Sequence, residues 1–205
     1  MITRRKTTDY LRSLLPVREQ EIARSEQTPV LPPESAQLLR TLCALRQPRR
    51  ILEIGTNVGF SAITMLQAAP QAELYTVEMN EDTAAIAREN LQKSGVYDRA
   101  HLYIGRAEEI LPYMQGEYDL IFLDGPKGQY PLFASYLLPL LAKGGLLVCD
   151  NVLFRGMVPG QRKATPRKRT ICKRLDQFLH QISRDPSLET TVLPIGDGIS
   201  VSVKK

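Results

Sequence analysis

The chain has no tryptophan, and histidine occurs only twice, at His101 and His180. Cysteine occurs three times, at Cys43, Cys149 and Cys172, with no metal-ligand spacing. A thiolate or imidazole zinc centre therefore has no ligand set here. An odd number of isolated cysteines also argues against a disulfide framework and for buried thiols in a reducing cytoplasm. No apolar run approaches the ~20 residues of a membrane helix. The opening MITRRKTTDYLRSLLP is basic, but its apolar stretch is too short and too interrupted for a signal peptide. Internal repeats, low-complexity tracts and an interdomain linker are missing too. What remains is an ordinary globular composition, expected in the cytoplasm and away from membranes.

Acid is missing from one stretch. Asn151 to Leu175 holds eight Lys or Arg and no Asp or Glu. The rest of the chain carries 19 basic against 22 acidic side chains, a net of −3, so the strip's eight cations turn a mildly acidic body into a chain of net charge +5. Its members are Arg155, Arg162, Lys163, Arg167, Lys168, Arg169, Lys173 and Arg174. A concentrated strip suits a polyanionic partner, although charge runs are often plain solvated helix faces.

The length of 205 residues suits a single domain spanning 1–205. Residues 1–47 read as N-terminal helices: YLRSLLPVREQEIARSEQ has helical apolar spacing, and PPESAQLLRTLCAL opens on prolines. From residue 50 to 205 the pattern is α/β. Strands RILEIG, AELYTVE, AHLYIG, YDLIFLD and GGLLVCDN alternate with helices FSAITMLQAA, EDTAAIARENLQKSG, AEEILPYM and YPLFASYLLPLL. A basic amphipathic helix, TPRKRTICKRLDQFLHQIS, follows. ETTVLPIGDGISVSVKK closes as two strands joined at a Gly-Asp-Gly turn. This alternation predicts a mostly parallel seven-stranded sheet with helices on both faces and an antiparallel last strand. The stretch from Arg155 to Pro166 is the longest without clear periodicity, and loops of that length are often functional.

Ligands of such sheets bind beyond the carboxyl ends of the strands. The first strand ends ILEIGTNVGFSA. Gly55 and Gly59 permit a tight turn and a close backbone approach, and the following helix offers free N–H groups. The G-x-x-x-G spacing does not suit a pyrophosphate. Glu53, just before the turn, suits a cationic ligand group. Glu78 ends the second strand, where an acid accepts hydrogen bonds from ribose hydroxyls. A ribose, a positive centre and no phosphates describe S-adenosylmethionine (SAM). A plain tight turn is the competing reading of the glycines.

Two more strands end in acids, Asp124 in IFLDG and Asp150 in LLVCDN, with Asn151 next. Two carboxylates and an amide oxygen are a hard ligand set that suits Mg²⁺; Ca²⁺ usually takes more ligands. Each residue alone is also an ordinary turn former. Methyl transfer to an oxygen needs a base. With neither histidine at a strand end, Lys127 is the candidate, since a desolvated lysine near positive charge loses its proton more readily.

LEIGTNVGFSA, TVEMN, FLDGPKGQY and CDNVLFRG, in this order, resemble the cation-dependent O-methyltransferases of the catechol and caffeoyl-CoA type. KGQY, DNVLFRG, the PRKR run and PIGDG resemble most the bacterial tRNA 5-hydroxyuridine methyltransferases. The resemblance implies a Rossmann-like class I SAM-dependent methyltransferase fold and a homodimer. It implies Mg²⁺ on Asp124, Asp150 and Asn151, and ribose on Glu78. Leu31, Ser61, Arg106, Ala107 and Asp124 would border the cofactor, and Lys127 would be catalytic. Two departures stand out. Gly125 and Pro126 follow the metal aspartate where animal catechol enzymes are bulky, and the tryptophan of an aromatic gate is absent. Both favour an open mouth and a wobble uridine on the tRNA anticodon over a free catechol. A small-molecule catechol or caffeoyl-CoA-like substrate is the alternative. A non-catalytic RNA-binding protein would leave Asp124, Asp150, Asn151 and Lys127 without a purpose.

Overall fold

The computed structural model describes residues 4–16 and 30–205. Helix α1 is Arg4–Ser13 and α2 is Pro33–Arg46. The periodicity of residues 10–27 predicts a single helix, but α1 lies earlier and stops three residues before Pro16. Proline lacks the N–H a helix needs and disfavours helical backbone in the residue before it. Residues 17–27 of that expected helix lie outside the described residues. Helix α2 starts on Pro33, where a missing N–H costs nothing, and closes at Gln47 in the left-handed region.

The strands are β1 Arg50–Ile54, β2 Glu73–Glu78, β3 Ala100–Ile104, β4 Tyr118–Leu123, β5 Leu141–Cys149, β6 Leu188–Leu193 and β7 Ile199–Lys204. They form one seven-stranded sheet in the order β3-β2-β1-β4-β5-β7-β6. Pairing is parallel throughout except at β7, which runs antiparallel to both β5 and β6. The expected architecture is thus the observed one. β5 starts three residues earlier than its apolar run suggests, because the register shifts between Tyr118 and Leu120 and two glycines, Gly144 and Gly145, absorb the irregularity.

Helices α3 (Phe60–Ala68), α4 (Glu81–Lys93), α5 (Ala107–Ile110), α6 (Tyr130–Leu140) and α7 (Pro166–Arg184) cover the sheet. Both faces are packed, which explains why β1 and β4 read as continuous apolar runs. One core joins Ile51 and Phe122 to Leu39, Ile63 and Leu91. The other joins Leu52 and Ile121 to Phe133, Leu175 and Phe178. The strand order reverses between β1 and β4, and the crevice opens there, beyond their carboxyl ends. Among the described residues no helix is long and apolar enough to cross a membrane.

Candidate active site

A cavity of about 680 Å³ lies over this crevice, roofed by Val30, Leu31 and Pro32. Its floor is the β1 turn. Gly55 has φ +99°, and a Cβ there would sit 2.6 Å from the Asp124 carbonyl oxygen. Only glycine lets β1 and β4 end this close together. Gly59, at φ +84°, starts α3 against the backbone of Ala87. Glu78 lines the cavity and accepts from Asn57 N at 2.8 Å and Asn80 N at 3.0 Å, which fixes its carboxylate at the rim.

Glu53, expected to face a cationic ligand group, does not line the cavity. It is fully buried, and its oxygens accept from Ser61 Oγ and Thr76 Oγ1, each at 2.5 Å. Ser61 is spent in the same way, so neither side chain borders the ligand space. Burial pushes the Glu53 carboxyl up to about 8, although both hydroxyl bonds favour its charged form. The pair acts from below, holding β1 to β2 and to α3.

Asp124, Asp150 and Asn151 all border the cavity. Tyr130 brings their strands together: its buried hydroxyl lies 3.0 Å from the Leu123 carbonyl and 2.9 Å from that of Asp150. Asp150 is 1 % exposed. Asn151 Nδ2 donates to its Oδ2 at 3.1 Å, while Oδ1 is buried without a partner. Burial, then the Asp124 carboxylate, pushes the Asp150 carboxyl up to about 7. A buried carboxylate with an unpaired oxygen beside a second carboxylate is unfavourable by itself, and a cation would relieve both strains. Asn151 stands at φ +56°, a left-handed conformation asparagine tolerates, which turns the chain away from β5. Lys127 Nζ bonds Asp124 Oδ1 directly and lies 5.6 Å from the centre of the Tyr130 ring. The expected base thus sits beside the expected metal ligand. Among the described residues, no group of three or more His, Cys, Asp or Glu side chains is placed to hold a metal ion. Any cation here relies on the asparagine as well as the two acids.

The O-methyltransferase family model matches residues 5–205. The chain belongs to the O-methyltransferase family. It is similar to the catechol O-methyltransferase of Mycobacterium tuberculosis, with 34 % identity over 78 % of this chain and 72 % of that one. It is also similar to caffeoyl-CoA O-methyltransferase 1 of Eucalyptus globulus, with 30 % identity over 82 % and 72 %. Among solved structures, the O-methyltransferase TomG from Streptomyces achromogenes in complex with SAM superposes with a TM-score of 0.86. That match has 26 % identity and covers 100 % of both chains.

In this O-methyltransferase, Leu31, Arg106 and Ala107 border the cavity, and Arg106 is bonded through Nε to Glu108 Oε1 at 2.8 Å. The basic strip divides. Arg162, Lys163, Arg167, Arg169 and Lys173 are exposed, and Lys168 lies over the Phe154 ring. Arg155 and Arg162 line a second cavity on the other side of Val30–Pro32. Arg174, also exposed and expected to meet a nucleic acid, donates to the Gly128 carbonyl at 3.1 Å, beside the Lys127–Gln129 turn. The histidines are remote: His101 pairs with Glu73, and His180 caps back onto Asp176. Cys43 and Cys149 are buried as expected, but Cys172 is only half-buried, on α7. Three contributors were not singled out from sequence. Gly105 ends β3 with the same strand-end glycine signal as Gly55; Glu108 and Gln129 carry no local signal and meet only in the fold.

Proposed function

We propose that this O-methyltransferase transfers the methyl of SAM to one of two adjacent oxygens on its acceptor, with Mg²⁺ as required cation. The observation that carries this reading is the unpaired, buried Asp150 Oδ1 beside Asp124 and Asn151 at the cavity wall. A bound Mg²⁺ would supply positive charge that makes a hydroxyl easier to deprotonate. Asp124, Asp150 and Asn151 would hold it. Glu78 orients the ribose, and the Gly55 turn lets the methionine end approach the backbone. Lys127 takes the hydroxyl proton once its amine leaves Asp124 and is itself unprotonated. Leu31 and its neighbours shield the cavity from water.

For the acceptor, we favour 5-hydroxyuridine at the tRNA wobble position, giving 5-methoxyuridine. Helix α7 supports this. Its first turn holds Arg167, Lys168 and Arg169 and no acid. Cations at a helix N-terminus oppose the macrodipole, so the helix forgoes a few tenths of a kcal/mol in exchange for an anion-binding face. The exposed part of this face follows Asn151 in the chain. A catechol or caffeoyl-CoA-like diphenol is the second reading, favoured by the names of the relatives. Both acceptors offer adjacent oxygens, so the metal side does not separate them. Mass spectrometry of tRNA from cells lacking the protein should show 5-hydroxyuridine accumulating; normal 5-methoxyuridine there would exclude the tRNA reading. Chelation by EDTA should abolish transfer and Mg²⁺ restore it. Full activity in excess EDTA would exclude the cation.

A further inference from the structure

The chain turns sharply after β5. Asn151, Phe154 and Arg155 have φ of +56°, +43° and +58°, and Gly156 follows at +74°. Asparagine tolerates that region, but a phenylalanine or arginine there is strained and persists only where its surroundings hold it. Those surroundings are the turn between β6 and β7, residues 194–198. Asp197 Oδ1 accepts directly from the backbone N–H of Arg155. The Asp197 carbonyl accepts from Leu153 N at 3.1 Å, and the Gly198 carbonyl from Val152 N at 2.9 Å. The two segments touch so closely that a Cβ on Gly198 would collide with Leu153. In this set the bond to Arg155 comes from a side chain, and it falls on a left-handed residue. The strained pair is also tied to Asn151, whose carbonyl accepts from Phe154 N at 3.1 Å. Asp197 therefore reaches Asn151 in two steps. It holds Arg155, and the neighbour of Arg155 holds Asn151.

We propose that Asp197 is a positioning residue for the cation site, keeping the turn at Asn151 in the left-handed form that sets this side chain beside Asp150. This rests on the Mg²⁺ reading above. Without the Asp197 acceptor, Phe154 and Arg155 relax toward ordinary backbone, Phe154 N leaves the Asn151 carbonyl, and the amide loses its place at the cavity wall. Asp197 itself borders the second cavity rather than the one that Asp150 and Asn151 line. Its role is to accept a hydrogen bond. A role through its charge predicts a different outcome, because any neutral replacement would then fail alike.

Mn²⁺ is the probe. Its binding to the whole chain, read by the electron paramagnetic resonance of the free ion, needs neither turnover nor acceptor. Asp197→Ala should weaken Mn²⁺ binding by about tenfold or more, the scale of a lost support behind a metal ligand. Binding of S-adenosylhomocysteine, read by calorimetry, should stay within about twofold. Asp197→Asn keeps an oxygen for the Arg155 N–H and loses the charge, so its Mn²⁺ affinity should stay within about threefold of the unaltered protein. Unchanged Mn²⁺ affinity in Asp197→Ala, or equal weakening in both variants, would overturn the assignment while leaving the Mg²⁺ reading intact. A parallel loss of S-adenosylhomocysteine binding would mark general loosening and overturn it too. An unaltered protein that binds no Mn²⁺ would remove the cation reading, and this proposal with it.

Discussion

At Glu53 both carboxylate oxygens are taken by hydroxyls, whereas at Asp150 one oxygen has no partner. The difference separates scaffold from site. Glu53 titrates near 8 in the folded chain because burial favours its neutral form, against about 4.3 for a free glutamate. Its contribution to stability is greatest below the unfolded value and is lost as pH rises toward 8. Within that window each pH unit removes up to about 1.4 kcal/mol. Glu53→Gln should therefore flatten the fall in Tm between pH 5 and pH 9, read by thermal melts. An equally steep fall in the variant would assign that slope to other groups. Lys127 belongs to the chemistry. Lys127→Ala should lower kcat by about 100-fold or more while SAM binding stays within about twofold. Intact turnover would remove Lys127 as the base.

Within elements, the strand ends carry the most information. Asp124, Asp150, Glu78 and Gly55 are legible in the sequence because each follows an apolar strand, and the fold sets those ends side by side. The direction of Glu53 is not legible in the same way. It depends on hydroxyls from α3 and β2 that only tertiary packing supplies. Gln129 meets a partner 21 residues away, and Arg174 a carbonyl 46 residues away, so neither contact shows in local pattern. α1 and the start of β5 differ from expectation for the opposite reason, since single residues, Pro16 and the Gly144–Gly145 pair, override the longer periodicity. The β1 turn gives a direct test of how tightly the strand ends meet. Gly55→Ala combines a left-handed φ with a 2.6 Å approach to the Asp124 carbonyl. It should cost at least about 1–3 kcal/mol in stability. SAM affinity should fall as well, because the turn and the Asp124 backbone move apart. A melting temperature equal to that of the unaltered chain would show that the turn has room.

Over the whole molecule, the exposed cations of the strip and the cavity mouth follow one another along the chain from Asn151 to α7. If tRNA is the acceptor, binding should weaken as salt rises, because phosphate contacts release counterions. Arg167→Ala, Lys168→Ala and Arg169→Ala together should flatten the plot of log affinity against log salt, by roughly 0.7–0.9 for each phosphate contact removed. A slope unchanged by the triple variant would place the RNA elsewhere. The antiparallel β7 has a practical consequence. Ile199 begins that strand at the edge where Cys149 leads into Asp150, while Val203 pairs with Leu146, further back along β5 toward its start at Leu141. Lys204 is anchored there by the carbonyls of Leu138 and Leu141. Anything joined after Lys205 therefore departs from the side opposite the mouth. A protein tethered to a sensor surface through that end would face its opening to the solution and meet a ligand as large as tRNA without hindrance.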